Sequence, residues 1–287
     1  MSRRGGAILL YIVVAYGFTW TVWGPYLLAA TRGDPTPPPL LYYFAALGPL
    51  LACIAAEAWE RGTPGVRDVL HRLYDWRRPG IWVVVGLLSP LVLPPLAAIA
   101  VAAAGYGWPD WRGFGVTSRA PGLGPLATWL LMTASYGFGE ESGWRGFLLP
   151  RLQADRSALR ATGWLTLIWA GWHLPAFFFR EGYVGLGAAG VVGFLLGLAA
   201  GAVVLTALYN ASKGSILVVA LWHGSWNWVA TSDAMQDPWV AVMTAIVMVA
   251  APIVIWVWGA RDLAPRPRAF IPPPGPASSP RRSLTIG

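Results

Sequence analysis

Apolar residues along this chain come in long blocks separated by short polar breaks, and the block length matches a bilayer. Eight stretches qualify, at about residues 7–31, 39–59, 81–104, 124–149, 159–179, 184–208, 214–231 and 238–259. A helix needs about 20 mostly apolar residues to cross the hydrocarbon layer, so the pattern predicts an all-α, polytopic transmembrane bundle of about eight spans. The first block follows Arg3 and Arg4. It is too long for the apolar part of a signal peptide, and further spans follow, so it reads as an uncleaved first helix. Among the breaks, residues 60–79 and 105–123 are the long ones. The first places Val66, Val69, Leu70 and Leu73 on one helical face with arginines opposite, the pattern of a short interfacial helix on the cytoplasmic surface. His71 within it reads as a solvated surface histidine. Residues 1–260 form one transmembrane domain, and the motifs identified below, with their flanks, fall within about 60–230 of it. Residues 261–287, rich in proline and arginine, read as a disordered cytoplasmic tail.

Composition strengthens the membrane reading. Of 287 residues, 56% are hydrophobic and only 12% charged, against roughly 25% charged in soluble domains; mean hydropathy is +0.52. An ordinary soluble enzyme and a disordered protein are both excluded. The single cysteine, Cys53, excludes an internal disulfide framework and a cysteine-based zinc cluster. The net charge of +8 is not a nucleic-acid signal, because the basic residues lie in short clusters between apolar blocks. With the N-terminus in the cytoplasm, 16 Arg and Lys residues fall on the inner segments and four, Arg32, Arg112, Arg119 and Arg180, on the outer ones. That asymmetry places both termini in the cytoplasm of a multi-pass cell-membrane protein. Twenty arginines beside one lysine, Lys213, point to a GC-rich bacterial genome.

The ionisable residues left at membrane depth are few: Glu140, Glu141, Arg145, His173 and His223. Each ionised group at a helix centre costs about 2.5–3.5 kcal/mol on insertion, so such groups face a polar cavity and one another and are functional candidates. Glu141 and Arg145 are four apart, in the favourable order for an ion pair on one helix face, while Glu140 is turned about 100° away. Trp169 and His173 share a face, as do His223 and Asn227. At 1.5 Å per residue from the nearest basic residue, Glu141 and His223 lie about 15 Å deep and His173 about 20 Å. Three helices thus bring polar residues to one level. Gly139, Gly143 and Gly146 form a small-residue stripe for close helix approach. Gly193, Gly197 and Gly201 form a second stripe that reads as packing alone. Pro175 is expected to bend or end the fifth span.

Those residues carry a resemblance. The segment GEESGWRG at 139–146, the pair Trp169 and His173, and the pair His223 and Asn227 resemble the three motifs of the CAAX protease and bacteriocin-processing family. This family of intramembrane glutamic endopeptidases includes type II CAAX prenyl endopeptidases. The segments RDVLHRLYDWRR and YNASKGSILVVALWH are similar to the family's flanking sequences. The family often has phenylalanine where this chain has Trp169. The resemblance implies that Glu140 is the general base acting on water with help from His173. It further implies that Glu141, held by Arg145, is supporting, and that His223 and Asn227 donate to the oxyanion. Trp169 is a cavity wall. The implied activity is hydrolysis of membrane-associated proteins or peptides, with or without a prenyl group. It proceeds without a covalent intermediate or a cofactor, in a cavity opening to the cytoplasm.

Other readings stand beside it. A zinc protease could use His173, His223 and a glutamate as ligands, although HExxH is absent. A non-catalytic immunity or scaffold protein would keep the motifs without turnover. A proton-coupled transporter would use the same buried groups but lacks visible repeats. Neither a GxSG nor a GxGD motif occurs. Substrate identity and oligomeric state are not legible.

Overall fold

A computed structural model describes residues 2–77 and 79–271, and every regular element among them is helical. Eight helical runs follow the eight apolar blocks. The first is α1, Arg3–Arg32, whose start is capped by the Ser2 hydroxyl and whose end is turned by Gly33 at φ +71°. The second is split into α2, Pro39–Ala45, and α3, Gly48–Arg61. The third joins α5, Trp82–Leu88, to α6, Leu93–Ala103, through a 3-10 turn at Ser89–Val92 that contains Pro90. Proline removes the backbone donor that an α-helix needs there.

The fourth run is the irregular one. It opens as α7, Pro125–Met132, and widens into a π-helical stretch, Thr133–Glu140. A short α turn follows (α8, Glu141–Gly143), then a second π stretch, Trp144–Leu148, and a closing α turn (α9, Leu149–Leu152). π-helical segments are rare and concentrate at functional sites. Helix α10, Ala158–Trp172, ends at His173 and passes into a 3-10 turn, Leu174–Phe178, so Pro175 does terminate the α-helix. The bundle closes with α11, Ala188–Ala211, α12, Ile216–Ala230, and α13, Trp239–Asp262.

Five of the eight runs are long and apolar enough to cross a membrane by length and composition. The other three begin at Pro125, Ala158 and Ile216. Helices α10 and α12 have 15 residues each, about 22 Å of helix, short of the roughly 30 Å hydrocarbon layer. These three shorter or broken runs carry all the polar residues picked out above.

The polar breaks behave differently from expectation at one end of the bundle. The interfacial helix exists as α4, Thr63–Tyr74, but Gly65, Val69 and Arg72 form its buried face while Leu70 is exposed. Arg72, expected among the outward arginines, reaches inward to donate to the Tyr209 hydroxyl at 3.1 Å and the Gly146 carbonyl at 3.0 Å. Arg151 is likewise buried and pairs with Glu57 at 3.0 Å and Glu60 at 2.5 Å. Burial of a guanidinium requires such partners, and Glu57 and Glu60 on α3 supply them. Part of the charge assigned to lipid contact is therefore internal.

The expected disordered tail lies partly outside the described residues, at 272–287. Up to Ile271 the chain is instead held in place. Gln153 and Asn210 exchange side-chain hydrogen bonds at 3.0 and 2.9 Å, and Gln153 also donates to the Ala269 carbonyl at 2.6 Å. Arg268 bonds the Gln153 carbonyl at 2.9 Å, and the Ile271 amide bonds the Pro150 carbonyl at 3.1 Å. The extended chain thus satisfies its backbone groups against α9.

Candidate active site

The π-helical stretch Thr133–Glu140 is wedged between two neighbours at close range. A side chain at Gly137 would meet the Ala220 carbonyl on α12 at 2.5 Å, and one at Gly224 would meet the Thr133 Cα at 2.5 Å. On the other flank, side chains at Gly139 and Gly143 would strike the Ala46 and Pro49 carbonyls at 2.6 Å. The Gly139–Gly143–Gly146 stripe is thus a close-approach surface as expected. It draws α12 and α3 against the run that carries the two glutamates.

Both glutamates are buried, yet their partners differ in kind. Glu140 Oε2 accepts two indole N–H groups, from Trp169 at 2.9 Å and Trp144 at 3.2 Å. Glu141 Oε1 accepts from the Arg145 guanidinium at 2.9 Å and from His223 Nδ1 at 2.8 Å. The Arg145 guanidinium also lies over the Trp169 ring, 4.6 Å from its centre, a favourable cation–π position. Glu141 Oε2 and the Arg145 Nε and Nη2 atoms are buried without a hydrogen-bond partner.

The two histidines each have one ring nitrogen committed. His173 Nδ1 lies 2.8 Å from the Trp169 carbonyl. A carbonyl only accepts, so Nδ1 carries the proton and Nε2 is left with its lone pair. His223 Nδ1 faces a carboxylate instead, and its Nε2 is likewise left uncommitted. Asn227 donates one of its amide hydrogens to the His223 carbonyl at 3.1 Å. Its second N–H and its carbonyl oxygen keep their capacity.

His173, His223 and Asn227 share a wall of one cavity of about 590 Å³ with Trp169. Glu140, 2% exposed, is not on that wall. It sits directly behind Trp169, bonded to that residue's indole. The seven residues singled out from the sequence therefore come together, and the connecting residue is Trp169. It donates to Glu140, accepts from His173, stacks under Arg145 and meets the His223 ring edge-on at 5.6 Å between centres. Sequence reasoning gave it only a wall's role. The His223–Glu141 bond was not foreseen, because nothing in their separate spacings links α8 to α12. Trp144 was also missed. Its position four residues after Glu140, parallel to Arg145 after Glu141, was the available signal.

Gly193, Gly197 and Gly201 also differ from expectation. They line this cavity, and a side chain at Gly193 or Gly201 would meet nothing within 4 Å. Gly197 does pack, since a side chain there would meet Thr244 at 3.3 Å and Met248 at 3.4 Å on α13, so the stripe is part packing and part open surface. Among the described residues no group of three or more His, Cys, Asp or Glu side chains is placed to hold a metal ion.

The cavity wall includes Arg180, Gly182 and Asp237, which belong to the links after α10 and α12. Those links lie at the end of the bundle opposite Arg72, Arg151 and Lys213.

Residues 122–229 match the family model of the Rce1-like proteins, the type II CAAX prenyl endopeptidases. The matched segment contains Glu140, Glu141, Trp144, Arg145, Trp169, His173, His223 and Asn227. Comparison with curated proteins gives no match.

Proposed function

We propose that this chain is an intramembrane endopeptidase that hydrolyses peptide bonds of membrane-associated proteins or peptides with water activated by Glu140 and His173. The observation that carries the proposal is the unequal commitment of the two histidines. His173 donates its Nδ1–H to a neutral carbonyl and offers a lone pair at Nε2, which can accept a hydrogen bond from water and orient it. His223 has the Glu141 carboxylate on Nδ1, which balances the charge of a doubly protonated ring, and its Nε2–H can then donate to an oxyanion. Two imidazoles on one wall thus take complementary roles.

In this reading the water oxygen attacks the scissile carbonyl carbon and its proton passes to Glu140. The tetrahedral oxyanion accepts from His223 and from the second Asn227 N–H. As the C–N bond breaks, the proton held by Glu140 moves to the leaving nitrogen. No covalent enzyme intermediate forms and no metal takes part. The two indole donors hold the Glu140 carboxylate in one orientation, and Arg145 holds Glu141 in register with His223.

Cleavage of quenched-fluorescent peptides, lipidated and unlipidated, by purified protein in detergent tests this directly. Wild type is expected to cut with or without a zinc chelator, while Glu140→Gln and His173→Ala lose at least about 100-fold, the scale of general acid–base catalysis. Activity lost to chelator and restored by zinc would replace this mechanism with metal hydrolysis. A Glu140→Gln variant with full biological activity would favour a binding role for the fold.

A further inference from the structure

The reaction above makes no use of a second cavity, of about 320 Å³, whose wall carries three cations, Arg72, Lys213 and Arg268, against one carboxylate, Asp68. It lies between the interfacial helix α4, the link from α11 to α12 and the segment that runs on from α13. Both α11 and α13 are long and apolar enough to span a membrane, and the cavity sits just past their ends, at Ala211 and Asp262. That is the level of lipid headgroups.

The three cations differ in how far they are already satisfied. Arg72 is buried and shares its guanidinium among the Tyr209 hydroxyl, the Gly146 carbonyl and Asp68, at 3.1, 3.0 and 3.0 Å. Asp68 is in turn shared with Arg61 at 3.2 Å. Arg268 donates from Nε to the Gln153 carbonyl at 2.9 Å and from Nη1 to Asp262 at 3.3 Å, so its Nη2 is uncommitted. Asp75, on an adjoining cleft, accepts from the Arg77 amide at 3.2 Å and faces His71 at 3.9 Å. Lys213 is exposed, and among the described residues its ammonium has no hydrogen bond and no ion pair.

The backbone singles Lys213 out further. It is the only lysine of the chain, and it sits at φ +62°, followed by Gly214 at φ +79°. The left-handed region disfavours a long side chain, so the turn holds this lysine at a cost in strain, a pattern that concentrates at functional positions. A side chain at Gly214 would begin 3.3 Å from the Tyr209 hydroxyl, so the glycine keeps that hydroxyl approachable. Tyr209 accepts from Arg72 and still has its own proton to donate. An ammonium, a free guanidinium edge and a hydroxyl donor on one wall suit an anion with several oxygens. Phe270, 52% exposed on the same wall, offers apolar contact to whatever carries that anion. We propose that this cavity binds a phosphate group, that of an anionic phospholipid in the leaflet it borders. The bound headgroup ties α4 and the Lys213 turn to the segment ending at Ile271.

The test titrates full-length protein in detergent with dioctanoyl phosphatidylglycerol and, separately, dioctanoyl phosphatidylcholine, following the first bound lipid by native mass spectrometry. Phosphatidylglycerol is expected to bind about 10-fold more tightly. Lys213→Asn suits the left-handed backbone and is expected to keep the wild-type thermal midpoint in detergent alone. It is expected to lose about fivefold of the preference, the scale of one basic side chain at an anionic surface. Lys213→Arg retains the preference. Arg67→Gln, which removes an exposed charge of α4 outside the cavity, leaves it unchanged. An equal loss in Lys213→Asn and Arg67→Gln marks diffuse surface charge and overturns the proposal. Inorganic phosphate, added at constant ionic strength, forms the second arm. If it raises the midpoint of wild type but not of Lys213→Asn while the two lipids bind alike, the phosphate site stands and soluble phosphate replaces the lipid as its source. Equal affinity for the two lipids with no response to inorganic phosphate overturns the proposal.

Discussion

Glu140 and Glu141 are neighbours in sequence with the same functional group, and their surroundings divide them. Glu141 meets an arginine and a histidine, so it is fixed as a counter-charge. Glu140 meets only neutral indole donors, so its carboxylate is oriented without being neutralised. Removing one indole N–H while keeping an aromatic ring isolates that effect. Trp169→Phe is expected to lower kcat/KM by about 10- to 100-fold, as for a lost hydrogen bond to a charged group, with the folded state retained. The Glu141–His223 bond calls for a different measurement. If the two act as a unit, Glu141→Gln and His223→Ala each impair turnover and the double variant is no worse than the poorer single one. Additive losses would show that they contribute separately. Arg145→Met leaves the buried Glu141 with His223 alone, and breaking a buried pair typically costs about 3–5 kcal/mol. A marked fall in thermal midpoint in detergent is the expected result. Sequence spacing made the Glu141–Arg145 pair legible because both residues lie on one helix. It was silent on His223 because that partner arrives through tertiary packing.

Helices differ in how they use small residues, and here the pattern alone misleads. The glycines at 139, 143 and 146 and those at 193, 197 and 201 look alike in sequence. Their surroundings do not. Adding a methyl group at Gly137 or Gly224 forces it onto backbone 2.5 Å away, and overpacking of this kind costs about 1–3 kcal/mol. Gly137→Ala and Gly224→Ala are therefore expected to lower the thermal midpoint and reduce activity, because α12 carries His223 and the facing stretch carries Glu140. Gly201→Ala is expected to leave the midpoint unchanged. An equal effect at all three positions would remove the distinction. The same contrast explains the limits of the pattern. Eight apolar blocks were readable because hydrophobic length is a property of each segment. The π-helical widening at Thr133–Glu140 was not, because close packing against α3 and α12 accompanies it and no local composition announces it. Pro175 was readable as a helix end, since its missing N–H acts locally.

At the scale of the whole molecule, polarity is distributed between two ends. One end holds the Arg151 pairs with Glu57 and Glu60, the buried Arg72 and, through the Ile271–Pro150 bond, the segment reaching Ile271. At the other, the Gly115 amide bonds the Ser232 hydroxyl at 2.9 Å and the Ser118 amide bonds Asp233 at 3.0 Å. Arg180 joins Tyr42 there as well. The cavity reaches this second end. Orientation by arginine count puts the first end in the cytoplasm, and a cavity mouth at the second end would face away from it. The single cysteine makes this measurable, because Cys53 is fully buried and can be replaced by alanine to give a silent background. Glu181→Cys, next to the cavity-lining Arg180, is expected to react with a membrane-impermeant maleimide applied to intact cells. Arg67→Cys, on the exposed face of α4, is expected to react only after the membrane is opened. The opposite result would place the cavity mouth in the cytoplasm and show that the arginine asymmetry does not orient this bundle. Of the 16 residues counted as inner charge, at least Arg72 and Arg151 are spent on internal pairs. The labelling therefore also measures how much of the remaining count acts on the membrane.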